Sequence, residues 1–208
     1  VINPWDMMNM YGADALRFWM YSVNQPGDSK NFDEKTVDEI IKKVFNLVTN
    51  VTSFYNMYAT AEVRMSSSSP HILDQWIIAR MHGLINEVTD GLDAYLFLEP
   101  TRAIRDFVAD LSQWYIRRSR DRFKGGGQDA QYALETTKYL LVTLSKVMAP
   151  FTPFFAEFIH TEVRGEKESV HLEEWPTAKL PDQKMLMDMD MVREVASKGL
   201  EARMKVKM

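Results

Sequence analysis

The chain has 208 residues, 46% of them hydrophobic, with a net charge of −4 and no cysteine. This length suits one large domain, alone or with a smaller appendage, and the hydrophobic content supports a buried core and argues against disorder. The net charge excludes a general polycation, so any binding to nucleic acid must come from a local patch. The absence of cysteine excludes disulfides and thiolate metal sites, and it fits the cytoplasmic location that we expect.

Two short helices are predicted at the start of the chain. Asn3 followed by Pro4 is typical of a helix N-terminus, and Gly12 ends this helix after Tyr11. Asp14 is predicted to cap a second short helix. The apolar residues of that helix are Leu16, Phe18, Trp19 and Met20. A loop follows at Asn24–Asp28, and polar residues extend it to Asn31.

Nothing in the sequence predicts a membrane span or a targeting segment. No apolar run reaches the roughly 18 residues that cross a bilayer, and the first residues contain neither a basic segment nor a signal-like apolar core. The chain also starts with Val1 in place of an initiator methionine. We therefore expect a piece of a longer protein.

Two long amphipathic helices are predicted next, because apolar residues repeat at steps of three and four. The first starts at Asp33, and a break at Ser66–Pro70 separates it from the second. The apolar face of the first consists of Val37, Ile40, Ile41, Val44, Leu47, Val48, Val51, Phe54, Tyr55 and Tyr58. That of the second consists of Leu73, Trp76, Ile77, Met81, Leu84, Ile85, Val88 and Leu92.

A third helix is predicted to restart at Glu99–Thr101 and to end before the glycine turn Gly125–Gly127. Its apolar residues are Ile104, Phe107, Val108, Leu111, Trp114 and Tyr115. A fourth helix runs from about Asp129 to Met148, where Pro150 stops it.

Thr152 and Pro153 are predicted to cap a fifth helix. Residues 164–181 are predicted as an extended loop, in which Val170 and Leu172 alternate like a short strand, and Asp182–Leu200 as a last amphipathic helix built mainly on methionine. Four or five antiparallel helices with short connections make a bundle, so the predicted fold is mainly α.

The most informative stretch is Trp114–Phe123, which follows two aromatic residues with four arginines. Between Thr101 and Lys124 the basic residues exceed the aspartates by four, in a chain whose total charge is −4. On a regular helix, Phe107 and Leu111 fall on the core side with Trp114. Four basic residues fall opposite the core, namely Arg102, Arg117, Arg120 and Lys124.

Arg118 and Arg122 fall in the direction of the apolar stripe itself. Either the helix extends beyond the core at these positions, or their guanidinium groups are paired inside it. A local excess of arginine favours a surface that binds phosphate, since the guanidinium suits phosphate and also stacks on flat rings. The alternative is a solvated helix C-terminus whose arginines form salt bridges with carboxylates.

The arginine-rich helix and four further segments carry a resemblance to a known family. Leu111–Phe123 closely resembles a helix in the anticodon-binding domain of isoleucyl-tRNA synthetases, particularly the eukaryotic-like type. Tyr11–Arg17 resembles the segment that follows the KMSKS catalytic loop of class I synthetases. Leu73–Ile77, Met148–Phe154 and Ser169–Pro176 lie where other motifs of the family would lie. Valyl- and leucyl-tRNA synthetases have relatives of several segments and remain the alternative, but the double arginine favours isoleucine.

This resemblance implies a helical bundle of the class I anticodon-binding type and three parts of the chain. Residues 1–32 would be a stem-contact segment that follows the catalytic loop. Residues 33–180 would be the anticodon-binding bundle, and residues 181–208 a C-terminal helix with the start of a truncated extension. The function it implies is to position tRNA(Ile) for aminoacylation elsewhere in the parent protein.

The resemblance also implies tRNA-binding residues. Phosphate contacts would come from the basic residues of the third helix, which are Arg102, Arg117, Arg118, Arg120, Arg122 and Lys124. Trp114 or Tyr115 would offer a ring face to an unstacked base, although for Trp114 we favour a place in the core. Asp14 and Arg17 would support the stem-contact segment against the bundle, for which a structural salt bridge is the favoured explanation.

The HIGH and KMSKS signatures are absent, so we expect no catalytic residue, no cofactor and no activity in this chain alone. ATP and Mg²⁺ would belong to a parent isoleucine–tRNA ligase, whose catalytic, editing and C-terminal domains would be further partners. The four histidines, His71, His82, His160 and His171, are too scattered for a metal site. The alternative of a different class is a helical protein-interaction module without an RNA function.

Overall fold

The structure, a computed structural model, describes residues 3–25 and 27–205. Pro26 of the predicted Asn24–Asp28 loop lies outside the described residues, as do residues 1–2 and 206–208 at the ends of the first and last predicted parts. The described residues form helices and loops with no strand, which confirms the predicted helical bundle.

Most of the helices follow one another with short connections. In chain order they are Pro4–Tyr11 (α1), Ala13–Ser22 (α2), Glu34–Ile40 (α3), Asn46–Tyr58 (α4), Ile72–Asp93 (α5), Leu98–Ala109 (α6), Arg117–Gly125 (α7), Gly127–Met148 (α8), Pro153–Glu162 (α9) and Gln183–Lys205 (α10). Longer segments separate α2 from α3, α4 from α5 and α9 from α10. The π-helical turns Ile41–Phe45 and Asp110–Ile116 join α3 to α4 and α6 to α7 without a break. Each of these two pairs is therefore one long helix.

Several helix ends are set by the local signals that the sequence contains. The Asn3 side chain accepts a hydrogen bond from the amide of Trp5 at 3.0 Å, and Gly12 ends α1 with a φ of 84°. Asp33 caps α3 in the same way, by accepting from the amide of Lys35 at 3.0 Å. Side-chain caps of this kind satisfy backbone donors that have no partner within the helix.

The main core lies between α4, α5, the α6–α7 helix and α8. Its largest fully buried side chains are Trp76, Tyr115, Phe18, Phe107, Phe151, Ile77, Met81, Ile85, Ile104, Leu111, Leu140 and Leu141. Phe18 brings α2 into this core, and a smaller cluster of Ala15, Trp19 and Val37 packs α2 against α3. A core of this size fixes the bundle's surface helices relative to one another.

Asp14 and Arg17 fasten α2 to the start of α9, over a separation of more than a hundred residues. The Asp14 carboxylate accepts a hydrogen bond from the amide of Phe155 at 2.6 Å. Arg17 donates to the backbone oxygens of Phe151 at 3.2 Å and Pro150 at 3.1 Å. Burial raises the pKa of the Asp14 carboxyl, against the opposing effect of the Phe155 amide.

Of the two caps predicted for α2 and α9, the one at Asp14 is wrong, and the one at Thr152 is confirmed in its position but not in its side-chain bond. Asp14 lies in the first turn of α2 and does not cap it, since Gly12 holds the N-cap position. Thr152 holds the N-cap position of α9 without a side-chain cap bond, because Asp14 supplies that bond from a distant part of the chain. The favoured salt bridge is also wrong: among the described residues Arg17 forms no ion pair, and it binds carbonyl oxygens.

The predicted strand at Val170 and Leu172 is wrong, because these residues form a 3₁₀ turn. The Ser169 hydroxyl accepts from the amide of His171 at 3.2 Å, and the Glu157 carboxylate accepts from the amide of Val170 at 2.9 Å. These side-chain bonds replace the backbone pairing that a strand would need.

The buried carboxylate of Glu173 ties the segment after α9 to the bundle. Its Oε2 lies 3.1 Å from Lys146 Nζ of α8, and its Oε1 accepts from the amide of Lys167 at 3.0 Å. Burial alone would raise the pKa of this carboxyl, but the Lys167 amide and the Lys146 ammonium outweigh burial and lower it. Because the pKa is lower in the folded chain, the stabilisation is complete above the ordinary glutamate pKa and is lost as the pH falls through the folded value.

Replacing Glu173 with glutamine is therefore expected to lower the free energy of unfolding at neutral pH by about 1–3 kcal/mol. The difference from the unchanged chain should shrink at a second, acidic pH below the lowered folded pKa, where the carboxyl is protonated in both states. Urea unfolding at the two pH values measures this. Glu174→Gln is the matched control, since the Glu174 side chain is 94% exposed; an equal loss in both variants would contradict the proposed role of burial.

Candidate nucleic-acid interface

A π-helical turn moves the buried face of the arginine-rich helix away from its predicted position. A regular α-helix rotates by ~100° per residue, which places Trp114 on the stripe of Phe107 and Leu111. In the turn Asp110–Ile116 the hydrogen bonds reach one residue further along the chain, so this turn takes up an extra residue. Every fourth residue therefore stays buried, in the order Phe107, Leu111, Tyr115, Ser119 and Phe123.

Tyr115, which the sequence places among the apolar residues of this helix, occupies the central position in the core. Tyr115 is 0% exposed, whereas Trp114 is half-buried and packs against the core from its edge. The favoured prediction for Trp114, a packing role on the apolar stripe, therefore agrees with the structure only in part.

Asp74 of α5 lies at the centre of a buried ion-pair network that reaches α7. Its side chain is 0% exposed and accepts two hydrogen bonds from Arg122, at 2.6 Å and 2.8 Å. The Tyr115 hydroxyl donates to the same carboxylate at 2.9 Å, and the Ser69 hydroxyl donates at 2.6 Å. Arg122 also pairs with Asp129 of α8, at 2.8 Å. One arginine thus joins α5, α7 and α8.

The protonation states in this network are fixed by its own contacts. Burial alone would lower the pKa of the Arg122 guanidinium, but its bonds to Asp74 and Asp129 raise it. Burial, reinforced by Asp74, raises the pKa of the Tyr115 hydroxyl well above its usual range. Arg122 therefore stays charged and Tyr115 stays a hydrogen-bond donor at neutral pH.

Two of the predicted tRNA contacts need correction. The Arg122 side chain is only 10% exposed and its donors are taken up by two carboxylates, so it has no free donor edge for a phosphate. Tyr115 is fully buried and offers no ring face to a base. We therefore exclude both residues from the candidate surface. For Arg122 the structure agrees with the second of the two alternatives, in which the guanidinium is paired inside the core.

The remaining cations of α7 are exposed. Arg117, Arg120 and Lys124 follow one another at spacings of three and four, which places them on one face of the helix. Within residues 3–25 and 27–205, these three side chains form no ion pair with a carboxylate. Asp121 is exposed on the same helix and reduces the local charge by one.

Arg102 is also exposed, but it lies on α6, on the far side of the π turn. A helical rise of 1.5 Å per residue puts it about 20 Å from Arg117 along the helix axis. The cations of the predicted basic face are therefore spread along one long helix. Such an arrangement matches an extended anionic polymer better than a small ligand.

Arg118, the remaining arginine among the predicted tRNA contacts, lies over the ring of Trp114. The Arg118 guanidinium carbon lies 3.2 Å from the centre of the Trp114 ring, within the range of a cation–π contact. Burial, Arg117 and Arg193 together lower the pKa of Arg118. Among the described residues Arg118 itself forms no ion pair with a carboxylate.

The sequence alone did not indicate Arg193 of α10 as part of this cluster. Its guanidinium lies 5.3 Å from the ring centre of Trp114 and 5.7 Å from that of Trp76. It pairs with Asp110 at 2.6 Å, and Asp110 also pairs with Arg80 of α5 at 2.9 Å. No local motif predicts this contact, because it joins positions more than eighty residues apart.

We define the basic surface as Arg117, Arg118, Arg120 and Lys124 of α7. The cavities found among the described residues do not lie at this surface. One of about 850 Å³, for example, lies between residues 61–65 and the turn Arg164–Glu166, with no residue of α7 in its lining. The basic surface is therefore an open face, and the chemistry it can perform is binding by charge and by stacking. Separately, none of the helices within the described ranges is long and apolar enough to cross a membrane.

A helical bundle that exposes several cations on one helix has the kind of surface that binds a nucleic acid. Residues 74–208 match the family described as the anticodon-binding domain of tRNA ligase, and the chain belongs to this family. It is 37% identical to an isoleucine–tRNA ligase of Deinococcus radiodurans, over 98% of this chain and 20% of that protein. It is 38% identical to isoleucine–tRNA ligase 2 of Bacillus cereus, over 95% of this chain and 20% of that protein.

These relatives confirm the predicted resemblance to isoleucyl-tRNA synthetases. The chain spans about a fifth of the length of the curated relatives it matches. Among solved structures, a LeuRS of Agrobacterium radiobacter K84 in a ternary complex with tRNA and LeuAMS shares the fold, with a TM-score of 0.62. That likeness covers 89% of this chain and 22% of the LeuRS chain at 18% identity, so it shows the fold alone.

Proposed function

We propose that the chain is the tRNA-binding part of an isoleucine–tRNA ligase and that its basic surface binds the sugar–phosphate backbone of tRNA(Ile). Bound in this way, the tRNA would be positioned for aminoacylation by domains outside this chain, with ATP and Mg²⁺ bound there. The single observation that carries the proposal is that Arg117, Arg120 and Lys124 are exposed and form no ion pair with any residue that the structure describes, while the neighbouring Arg122 is fully paired.

The proposal also assigns a separate role to each of the three parts of the chain. Residues 1–32 would contact the tRNA stem, residues 33–180 would hold the anticodon arm, and residues 181–208 would begin a further extension. Asp14 and Arg17 support the first part by fastening α2 to α9, and Arg102 would extend the phosphate contacts along α6. A cytoplasmic location is proposed as well, which the absence of cysteine favours.

Reversing the charge of Arg117 and Arg120 together is expected to weaken tRNA binding. Each lost phosphate contact also reduces the slope of log affinity against log salt concentration by about one, so the double variant should lose about two. Filter binding with an unmodified tRNA(Ile) transcript over a series of salt concentrations measures both effects. The substitutions lie on exposed positions of α7, so the fold should be retained, as circular dichroism can verify.

The matched control is the charge reversal of Lys42 and Lys43, which are exposed and form ion pairs within their own helix. This control has the same change in net charge but leaves the basic surface intact, so its affinity should stay close to that of the unchanged chain. Equal weakening in both double variants would mean that only net charge matters. Unchanged binding after reversal of Arg117 and Arg120 would contradict the proposal and favour the protein-interaction module.

A further inference from the structure

The contact between Arg118 and Trp114 has a geometry that simple phosphate binding does not require. A guanidinium carbon 3.2 Å from the ring centre lies on the face of the indole and is held there by the cation–π attraction. Trp114 in turn is fixed, since it packs against the core and its Nε1 is buried. The plane of Arg118 is therefore held in place by a rigid support.

Arg118 is nevertheless exposed. Because one face of its guanidinium is covered by Trp114, the exposed part consists of the opposite face and the donor edges. Trp114 itself cannot stack on a base through the face that Arg118 covers. The surface available to a ligand at this position is consequently a flat, charged plate with hydrogen-bond donors around its rim.

The charges around this plate indicate what it can bind. Burial, together with Arg117 and Arg193, lowers the pKa of Arg118. Within the described ranges Arg118 has no carboxylate partner, whereas Arg193 is paired with Asp110. A ligand that offers a π-face to the plate and a negative charge to the exposed Arg117 beside it would suit this surface. An unpaired nucleotide has both, because its base stacks on planar guanidinium groups and its phosphate is anionic.

We propose that Arg118, supported by Trp114, is a stacking site for one unpaired base of the bound RNA, with Arg117 beside it on the phosphate of that nucleotide. This proposal rests on the proposed function and adds a part that distinguishes single-stranded from paired RNA. The cations Arg120 and Lys124 lack an aromatic support among the cation–π contacts of the structure and serve the backbone alone.

Arg118→Lys separates stacking from charge, because lysine keeps the positive charge and loses the plane. The probes are an RNA hairpin whose unpaired loop contains 2-aminopurine and a blunt duplex of the same stem, titrated against the 208-residue chain. For the hairpin we expect Arg118→Lys to lose about tenfold in affinity and to lose the change in 2-aminopurine fluorescence. For the duplex, affinity should change by less than about twofold, since its backbone contacts depend on charge.

Arg105→Lys is the matched control, and it should bind both probes within about twofold of the unchanged chain, because Arg105 pairs with Asp106 on α6 and lies outside the basic surface. Equal hairpin affinity and equal fluorescence change in Arg118→Lys and the unchanged chain would overturn the stacking site while leaving the proposed tRNA binding intact. If the unchanged chain bound neither the hairpin nor a tRNA transcript, both the stacking site and the proposed function would be overturned.

Discussion

Replacing Asp74 with alanine is expected to lower the free energy of unfolding by about 3–5 kcal/mol, which is the usual cost of leaving one charge of a buried pair unpartnered. The carboxylate is 0% exposed and holds Arg122 by two hydrogen bonds. Its removal also leaves the buried hydroxyl of Tyr115 without the acceptor that it has now. Urea unfolding followed by circular dichroism measures the loss.

Two further variants make this prediction specific. Asp129→Ala removes the other partner of Arg122, but its side chain is 51% exposed, so the cost should be at most about 1 kcal/mol. Tyr115→Phe removes one hydrogen bond of the network and should cost about 1 kcal/mol. If Asp74→Ala and Asp129→Ala had similar effects, the importance that we give to burial at Asp74 would be wrong.

The Asp74 network also determines which arginines remain available on the surface. It draws Arg122 inward, and together with the π turn it fixes the rotation of α7 relative to α5 and α8. Arg117, Arg120 and Lys124 then face outward as a consequence of the buried pairing. A milder variant, Asp74→Asn, is therefore expected to weaken tRNA binding without touching any exposed cation.

Much of the fold could be predicted because its signals are local. Asn3 with Pro4 and Asp33 set helix ends through contacts within a few residues of themselves, and the structure places them as predicted. Of the predicted glycine turn only Gly126 lies between helices, since Gly125 ends α7 and Gly127 begins α8. The apolar repeats predicted the long helices for the same reason, since a helix face depends only on residue spacing. These features need no knowledge of the rest of the chain.

The candidate site could be located but not resolved residue by residue. A regular projection has no means of anticipating the π turn at Asp110–Ile116, so Trp114 was placed on the core stripe. The base-stacking role of Tyr115 came from the resemblance, although the apolar repeat included this residue. Contacts between distant positions were equally hidden: Asp14 caps a helix 141 residues away, and Asp74 pairs with an arginine 48 residues away. Composition and spacing carry no information about such partners.

One signal for the buried network was nevertheless present in the sequence. Asp74 precedes Ile77 by three residues and Met81 by seven, which are the spacings of the apolar face of α5. A carboxylate on such a face needs a cationic partner when it is buried, and Arg118 and Arg122 were the two cations that the projection directed toward the core. Combining the two observations would have narrowed the partner of Asp74 to these two arginines.

Replacing Arg193 with alanine is expected to release α10 from the bundle while the rest of the fold stays intact. No residue of α10 is fully buried, and only Met185, Leu186 and Met189 pack partly against the core. Arg193 adds an ion pair with Asp110 at 2.6 Å and contacts with two tryptophan rings. A hydrogen bond between charged groups contributes about 1.5–3 kcal/mol, so its loss should speed local opening roughly 10- to 100-fold.

Hydrogen exchange of the amides in Gln183–Lys205 measures this opening directly. Lys198→Ala is the matched control on the same helix, because its ion pair with Glu194 joins two exposed side chains and contributes little. The free energy of global unfolding should change by less than about 1 kcal/mol in both variants, since Asp110 keeps its pair with Arg80. Equal exchange in the two variants would mean that the partly buried methionines hold α10 without Arg193. Faster exchange in the arginine variant alone would instead identify Arg193 as the contact by which α10 stays beside Trp114 and the basic surface.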